Sequence, residues 1–190
     1  MKWNAHYDLQ GKHAYLGASK YHWINYDNAK LEEAYRRYLA VERGTVLHAF
    51  AAQCIQLGQH LPHDPDNPQT LELYVNDAID YKMNPEQVLY FSDNCFGTAD
   101  AICFRNKKLR IHDLKTGDTP THMEQLMVYA ALFCLEYKVK PGEIMMELRI
   151  YQNNDAVVFN PTAEDILPIM DRIKASDRII DKIRFEEGLK

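Results

Sequence analysis

Two short segments joined by a turn carry the residues whose types and spacing best suit chemistry. Asp100 lies in GTADAICF, and Asp113 and Lys115 lie in LRIHDLKTG, which follows it in the chain. Both segments are rich in β-forming residues, and the second alternates apolar and polar positions, which predicts two strands of a hairpin. Asparagine tolerates the positive φ that a two-residue turn requires, so we predict the turn at Asn106-Lys107.

This turn determines which residues oppose each other across the hairpin. Asp100 then faces Asp113, and Lys115 shares their face because strand side chains alternate. Opposed side chains lie about 5 Å apart, so two carboxylates there repel each other unless a cation such as Mg²⁺ or Mn²⁺ binds between them. A surface cluster neutralised by Lys115 is the alternative, and a change of one residue in the loop would put the aspartates on different faces. The hairpin alone leaves both interpretations open.

The rest of the chain predicts how this hairpin is embedded. Helices are predicted over residues 20–26, 31–43, 44–58 and 70–83, then strands over 87–92, 97–104 and 109–115. A long helix over 119–139, strands over 142–152 and 156–160, and a final helix from Pro161 follow, with Pro168 expected to kink or restart that helix. We therefore predict one α/β (α+β) domain, with a mainly helical part over residues 1–83 and a β-β-β-α-β-β-α core over residues 84–190.

Composition excludes several classes of protein. The 190 residues include 22 basic and 27 acidic side chains, a net charge of −5, which excludes a globally basic coat for nucleic acid but not a local groove or a metal that attracts phosphate. Apolar runs fall short of the roughly 20 residues of a membrane span, and the N-terminus lacks the apolar core of a secretory signal. The four cysteines form no CxxC pair, which argues against a zinc ribbon and favours a reducing compartment.

Four motifs occur in order within roughly residues 19–151: ERGTVLHAFA, GTAD, IHDLKTG and EQLMVYA. They are similar to a Gly-x-x-x-His helix, a first acidic strand, an Asp-x-Lys strand and a Gln-x-x-x-Tyr helix. The matching residues are Gly44, His48, Asp100, Asp113, Lys115, Gln125 and Tyr129. In this order they resemble the PD-(D/E)XK nuclease superfamily, and most closely its RecB-like and phage exonuclease members.

The resemblance implies a restriction-endonuclease-like core, in which helices flank a central mixed β-sheet. The residues that it implies to be catalytic are Asp100, Asp113, Lys115, Gln125 and Tyr129. The metal ligands that it implies are His48, Asp100, Asp113 and the backbone carbonyl of Leu114, with Glu86 as a candidate additional acid. Taken alone, His48 and Tyr129 are more typical of core residues on apolar helices. Only Cys134 follows Gln125, so we expect no iron–sulfur cluster.

Further side chains are candidates for contacts with DNA. They are Lys20, Arg36, Arg37, Thr116 and His122, with Lys107 and Lys108 as additional basic candidates and Tyr21, Trp23 and Tyr26 as rings for stacking on unpaired bases. Each is also explained as an ordinary surface or packing residue.

The resemblance implies a Mg²⁺- or Mn²⁺-dependent deoxyribonuclease, with exonuclease action on DNA ends or single strands favoured. Its setting would be phage or bacterial recombination, repair or replication, with a protein of those pathways as a candidate partner. A non-catalytic DNA- or protein-binding module and a structure-selective endonuclease are the alternatives, and the retained acids and lysine favour an enzyme. We expect a protein of the bacterial or phage-infected host cytoplasm that does not enter a membrane.

Overall fold

The computed structural model describes residues 4–117, 120 and 122–188. The chain divides into two compact units, Met1–Arg43 and Gly44–Lys190. The predicted organisation of residues 1–190 as a single domain stays a prediction. Among the described residues, no helix combines the length and apolar character needed to cross a bilayer.

The fold is α+β, and its elements follow the predicted order. The helices are α1 (Asn28–Leu57), α2 (Thr70–Asp80), α3 (Glu124–Glu136) and α4 (Ala163–Glu186). The strands are β1 (Asn84–Ser92), β2 (Cys95–Arg105), β3 (Lys108–Leu114), β4 (Met145–Gln152) and β5 (Asp155–Phe159). The predicted helix over 119–139 is shorter in the structure, and its positions 119 and 121 lie outside the described residues.

The five strands form one mixed sheet in the order β1-β2-β3-β4-β5. All neighbours are antiparallel except β3 and β4, which run parallel and are joined through α3. A parallel pair needs such a crossover because the chain must return to the end of the sheet at which it started. The predicted β-β-β-α-β-β-α order and mixed sheet are confirmed.

Helix α1 is continuous, so the prediction of two helices that meet at Gly44 is wrong. An interior glycine costs a helix only about 1 kcal/mol, which the good helix formers around it offset. The predicted end is confirmed: Gly58 has a φ of 63°, and the amide of Gln59 donates to the carbonyl of Cys54 at 2.9 Å. Such a left-handed glycine with a bond back across the last turn is a common helix terminus.

Two other local predictions also differ from the structure. Residues 18–25 form a 3₁₀ segment (Ala18–Asn25) instead of an α-helix, and Lys20 interrupts it with a φ of −110° and a ψ of 43°. Pro168 lies within α4 without restarting it. The N-terminus of α4 is capped by Thr162, whose amide donates to Asp165 Oδ2 at 2.7 Å.

Each face of the sheet carries its own hydrophobic core. Helices α3 and α4 cover one face, where Leu109 and Ile111 of β3 pack with α3 residues such as Leu126. Helix α2 and the C-terminal half of α1 cover the other face, which includes Leu114 and Tyr151. The end of β3 therefore lies between two packed layers, where helices from both sides reach it.

Candidate metal centre

The β2–β3 hairpin has the predicted turn and register. Asn106 and Lys107 have φ values of 50° and 58°, as a type I′ turn requires. The ladder runs from the pair Arg105–Lys108 to the pair Ala101–His112. Asp100 and Asp113 occupy the next position of that register.

Beyond the last pair of the ladder, Asp100 continues the contact between the two strands through its side chain. Its Oδ2 accepts a hydrogen bond of 2.9 Å from the backbone amide of Leu114. The side chain of Asp100 is only about one-sixth exposed (16%), so this carboxylate is held partly out of water. Leu114 thus contacts the site through its amide, and the role of its carbonyl as a metal ligand stays a prediction.

Three side chains from three elements converge at this end of the hairpin. His48 of α1, Glu86 of β1 and Asp100 of β2 each offer one ligand atom, and these atoms lie within 4.8 Å of one another. The His48 Nδ1 to Asp100 Oδ2 distance is 3.4 Å. The predicted candidates His48 and Glu86 are thus brought together with Asp100, whereas Asp113 is not part of this group of three.

Glu86 reaches the group because its backbone departs from a regular strand. Its φ is 51°, which a residue with a side chain rarely adopts. The β1–β2 ladder pairs Pro85 with Ala101 and Gln87 with Ala99, so Glu86 lies opposite Asp100 at an interrupted position. Such left-handed conformations cost about 1–3 kcal/mol and concentrate at functional sites.

Asp113 lies beside the group of three and is paired with Lys115. The residue is 2% exposed, and Lys115 Nζ donates to Asp113 Oδ1 at 3.0 Å. Nζ also lies 2.9 Å from Oδ2, yet Oδ2 accepts no hydrogen bond of acceptable geometry from the described residues. A buried carboxylate oxygen with spare acceptor capacity beside other acids is what a bound cation would satisfy.

A chain of hydrogen bonds continues from Lys115 onto α3. Lys115 Nζ donates to Gln125 Oε1 at 3.0 Å, and Gln125 Nε2 donates to the hydroxyl of Tyr129 at 3.3 Å. Gln125 and Tyr129 share a helix face because they are one turn apart. The predicted residues Asp113, Lys115, Gln125 and Tyr129 therefore form one connected set.

The electrostatics of the site reflect an excess of negative charge. Burial and then Asp100 raise the pKa of Asp113, while Lys115 lowers it. Burial and then Asp100 likewise raise the pKa of Glu86. The hydrogen bond with Asp100 raises the pKa of His48 against the opposite effect of its burial. Three carboxylates beside one lysine would be stabilised by a cation.

The donor set fits a small divalent cation with oxygen preference. Ligand oxygens around Mg²⁺ lie 2.0–2.1 Å from the ion, hence about 3–4 Å from one another in an octahedron. The ligand atoms of His48, Glu86 and Asp100 lie within 4.8 Å of one another, which is close to that spacing. An imidazole ligand suits Mn²⁺ better than Mg²⁺.

Of the DNA-contact candidates near this region, Thr116 follows Lys115 and is exposed, and a Cβ on Gly44 would lie 2.9 Å from its Oγ1. His122 is exposed and lies 3.9 Å from Glu124, without a described contact to the metal-site residues. Lys108 lies beside the turn, at the opposite end of the hairpin from Asp100 and Asp113, and its Nζ forms an ion pair of 2.5 Å with Glu147.

The remaining candidates belong to residues 1–43. Lys20, Arg36 and Arg37 are exposed there, and Arg37 forms an ion pair with Glu33. Their role as DNA contacts stays a prediction, as does that of the aromatic residues Tyr21, Trp23 and Tyr26.

The sequence analysis did not identify Tyr74 and Gly97, two residues that border the site. Tyr74 of α2 is 2% exposed, and its pKa is raised by burial and then by Asp100 and Glu86, so it forms a neutral wall. Gly97 of β2 lies against the ring of Tyr129. An isolated glycine within a strand signals close approach by another group, but it does not identify that group.

An open cavity of about 350 Å³ lies beside Lys115. Its lining residues are Leu47, Thr70, Leu71, Leu114, Lys115, Thr116, Gly117, Asn153 and Asn154. They offer hydroxyl, amide and backbone groups and one ammonium, but no carboxylate. A polyanion would meet less repulsion here than at the acidic cluster itself.

Comparisons with family models, curated proteins and solved structures found no match to this chain.

Proposed function

We propose that this chain is a Mg²⁺- or Mn²⁺-dependent deoxyribonuclease of the PD-(D/E)XK type, with a restriction-endonuclease-like core, and that it acts as an exonuclease on DNA ends or single strands. The supporting observation is the convergence of His48, Glu86 and Asp100 within 4.8 Å, beside the buried pair of Asp113 and Lys115. The preference for exonuclease action rests on the resemblance of the Gly-x-x-x-His and Gln-x-x-x-Tyr motifs.

The arrangement suits hydrolysis of a phosphodiester. When bound, the cation lowers the pKa of water and offsets the charge on the scissile phosphate. His48, Glu86 and Asp100 would hold it, and Asp113 Oδ2, which accepts no hydrogen bond of acceptable geometry from the described residues, would be a further ligand. The ammonium of Lys115 would hold the attacking water and stabilise the charge that develops on the phosphate. Attack on phosphorus then breaks the P–O bond to the departing sugar oxygen.

Gln125 and Tyr129 have a positioning role in this proposal. Their hydrogen-bonded chain reaches Lys115 from α3, while Asp113 holds the same ammonium from β3. An ammonium held from two directions loses little freedom when the substrate binds, which favours a productive geometry. The cavity beside Lys115 has no acidic lining residue and offers a path for the DNA backbone.

The test uses end-labelled linear DNA and covalently closed circles, incubated with Mg²⁺, Mn²⁺ or EDTA. We expect linear DNA to be degraded with either cation, circles to survive, and EDTA to stop the reaction. Asp113→Asn and Lys115→Ala should each abolish cleavage, whereas Lys174→Ala, a matched change on α4, should leave it unchanged. Degradation of circles would overturn exonuclease action, and inert wild-type protein with both cations would overturn the nuclease proposal.

A further inference from the structure

The ring of Tyr129 occupies the space where Gly97 has no side chain. Gly97 lies within β2 and pairs with Leu89 of β1. A Cβ added to Gly97 would lie 2.9 Å from Tyr129 Cε1 and 3.8 Å from its Cδ1 and Cζ. Carbon atoms in good contact are about 3.5–4.0 Å apart, so even a methyl group would push the ring away.

Gly97 provides space and not conformational freedom. Its φ lies outside the left-handed region, so other residues would adopt its backbone conformation without strain. The structural need at this position is therefore close approach of the ring to β2. Glycine is otherwise unfavourable in a strand interior, because it has no side chain to pack.

Displacement of the ring cannot be absorbed by a shift of α3. Leu126 and Ala130, which flank Tyr129 on this helix, are completely buried in the core between α3 and the sheet. Close-packed cores resist such movement. An added methyl group would therefore turn the whole Tyr129 side chain about its Cα–Cβ bond and move its hydroxyl.

The hydroxyl of Tyr129 is one end of the chain of hydrogen bonds that reaches Lys115. Gln125 Nε2 donates to it at 3.3 Å, and Gln125 Oε1 accepts from Lys115 Nζ at 3.0 Å. The amide of Gln125 is planar, so its nitrogen and oxygen move together. A shift of the hydroxyl thus turns the oxygen that holds the ammonium.

We propose that Gly97 is a positioning residue: the missing side chain allows the Tyr129 ring to lie against β2, and the ring directs Lys115 through Gln125. This inference rests on the proposed function, in which Lys115 acts on the attacking water and the phosphate. Gly97 itself touches neither substrate nor metal in this proposal.

The first experiment compares Gly97→Ala with Gly142→Ala. A Cβ on Gly142 would meet only Ala163 Cβ at an ordinary 3.8 Å, so it is a matched control without a clash. We expect Gly97→Ala to lower kcat about 10- to 100-fold, the usual effect of misplaced supporting groups, with KM for DNA and Mn²⁺ affinity by calorimetry unchanged. Gly142→Ala should retain kcat.

A double-mutant cycle tests whether Gly97 acts through Tyr129. Tyr129→Ala removes the ring and opens the space, so Gly97→Ala should have no further effect on kcat in that background. Equal losses in both backgrounds would overturn the inference. So would full kcat for Gly97→Ala in an active wild-type background. Inert wild-type protein would instead count against the proposed function.

A crystal structure of Gly97→Ala gives an outcome that does not depend on activity. We expect a Tyr129 side chain turned about its Cα–Cβ bond and a Lys115 Nζ to Gln125 Oε1 distance longer than about 3.5 Å, beyond hydrogen-bond range. The same measurement on Gly97→Ala/Tyr129→Ala separates a local clash from general misfolding, because the double variant should fold. A 3.0 Å contact retained in Gly97→Ala would overturn the inference.

Discussion

Glu86 combines a strained backbone with a position that its charge makes unfavourable. Its φ of 51° is rare for a residue with a side chain, and its carboxylate lies near that of Asp100. Packing gives no reason for this arrangement, since Glu86 is exposed. The proposed cation would give one, because it would convert the repulsion into shared ligation.

Glu86→Gly tests this explanation through opposite effects on stability and binding. Glycine adopts a positive φ freely, so the variant should be more stable in EDTA by about 1 kcal/mol, measured by urea denaturation. Its Mn²⁺ affinity by calorimetry should fall at the same time. Glu86→Gln is the control that keeps the side chain and the strain but loses the charge. A Glu86→Gly variant with reduced stability and unchanged Mn²⁺ affinity would contradict this account.

Metal binding should also be visible as stabilisation of the fold. A ligand that binds only the folded state at about 100 times its Kd stabilises that state by about 2.7 kcal/mol. Wild-type protein should therefore gain Tm with Mn²⁺, and Asp100→Asn and His48→Ala should lose most of the gain. Asp93→Asn, in the turn after β1, is the control that should retain it. Equal gains in all four proteins would mean that the cation binds elsewhere.

The residues of the site could be predicted to different degrees. Asn106-Lys107 set the register, so the common position of Asp100 and Asp113 followed from local turn chemistry. Glu86 approaches His48 and Asp100 because its backbone departs from regular strand geometry, and no local sequence pattern signals that departure. The sequence did not reveal the role of Gly97, because that role depends on the ring of Tyr129 on α3. Contacts between segments that are distant in sequence cannot be deduced from short motifs.

At the scale of elements, Gly44 explains why one prediction about α1 was wrong. The glycine was expected to separate two helices, but it lies inside one helix against the end of β3. A Cβ at this position would lie 2.9 Å from Thr116 Oγ1. Its missing side chain serves the contact between helix and strand, which helix propensity alone does not reveal.

Gly44→Ala should therefore depend on Thr116. In wild-type protein the gain in helix propensity, about 1 kcal/mol, is offset by the contact with the hydroxyl. In a Thr116→Ala background that contact is gone, and the same change should stabilise the protein by about 1 kcal/mol in urea denaturation. Equal effects in the two backgrounds would show that the two residues do not interact.

The turn between β1 and β2 is attached to α4 by polar contacts. Asp177 Oδ1 accepts hydrogen bonds from Ser92 Oγ at 2.5 Å and from Asn94 Nδ2 at 3.0 Å. Asn94 Nδ2 also donates to Asp181 Oδ1 at 2.7 Å. The bonds from Ser92 and then Asn94 lower the pKa of Asp177, because they favour its charged form.

This lowered pKa predicts an acid-sensitive contribution to stability. The contribution is present above the ordinary aspartate pKa of about 3.9 and is lost as the pH falls through the lower pKa of the folded state. Asp177→Asn should thus be less stable than wild type at pH 7, and the difference should shrink below about pH 4. Urea midpoints measure the difference, and Asp171→Asn, an exposed substitution on the same helix, is the control variant. A difference that is independent of pH would contradict this assignment.

At the scale of the whole molecule, the fold was more predictable than the site. Apolar alternation and helix periodicity predicted the element order, because burial on two faces of a sheet imposes those patterns. The mixed sheet was expected from the resemblance, and its parallel pair, β3 and β4, is joined through a helix. The site depends on side chains from α1, β1, β2, β3 and α3 that meet at one end of the sheet, and only tertiary packing sets their distances.

The net charge of −5 has one further consequence for the proposed binding of DNA. Without a cation, Glu86, Asp100 and Asp113 repel the phosphate backbone, so DNA affinity should rise at least tenfold when Ca²⁺ replaces EDTA. Asp100→Asn should bind DNA more tightly than wild type in EDTA, because it removes one repelling charge, yet gain little from Ca²⁺, because it lacks a ligand. Fluorescence anisotropy with a phosphorothioate oligonucleotide measures both affinities without cleavage. Wild-type affinity that is the same with and without Ca²⁺ would show that DNA does not contact the acidic cluster.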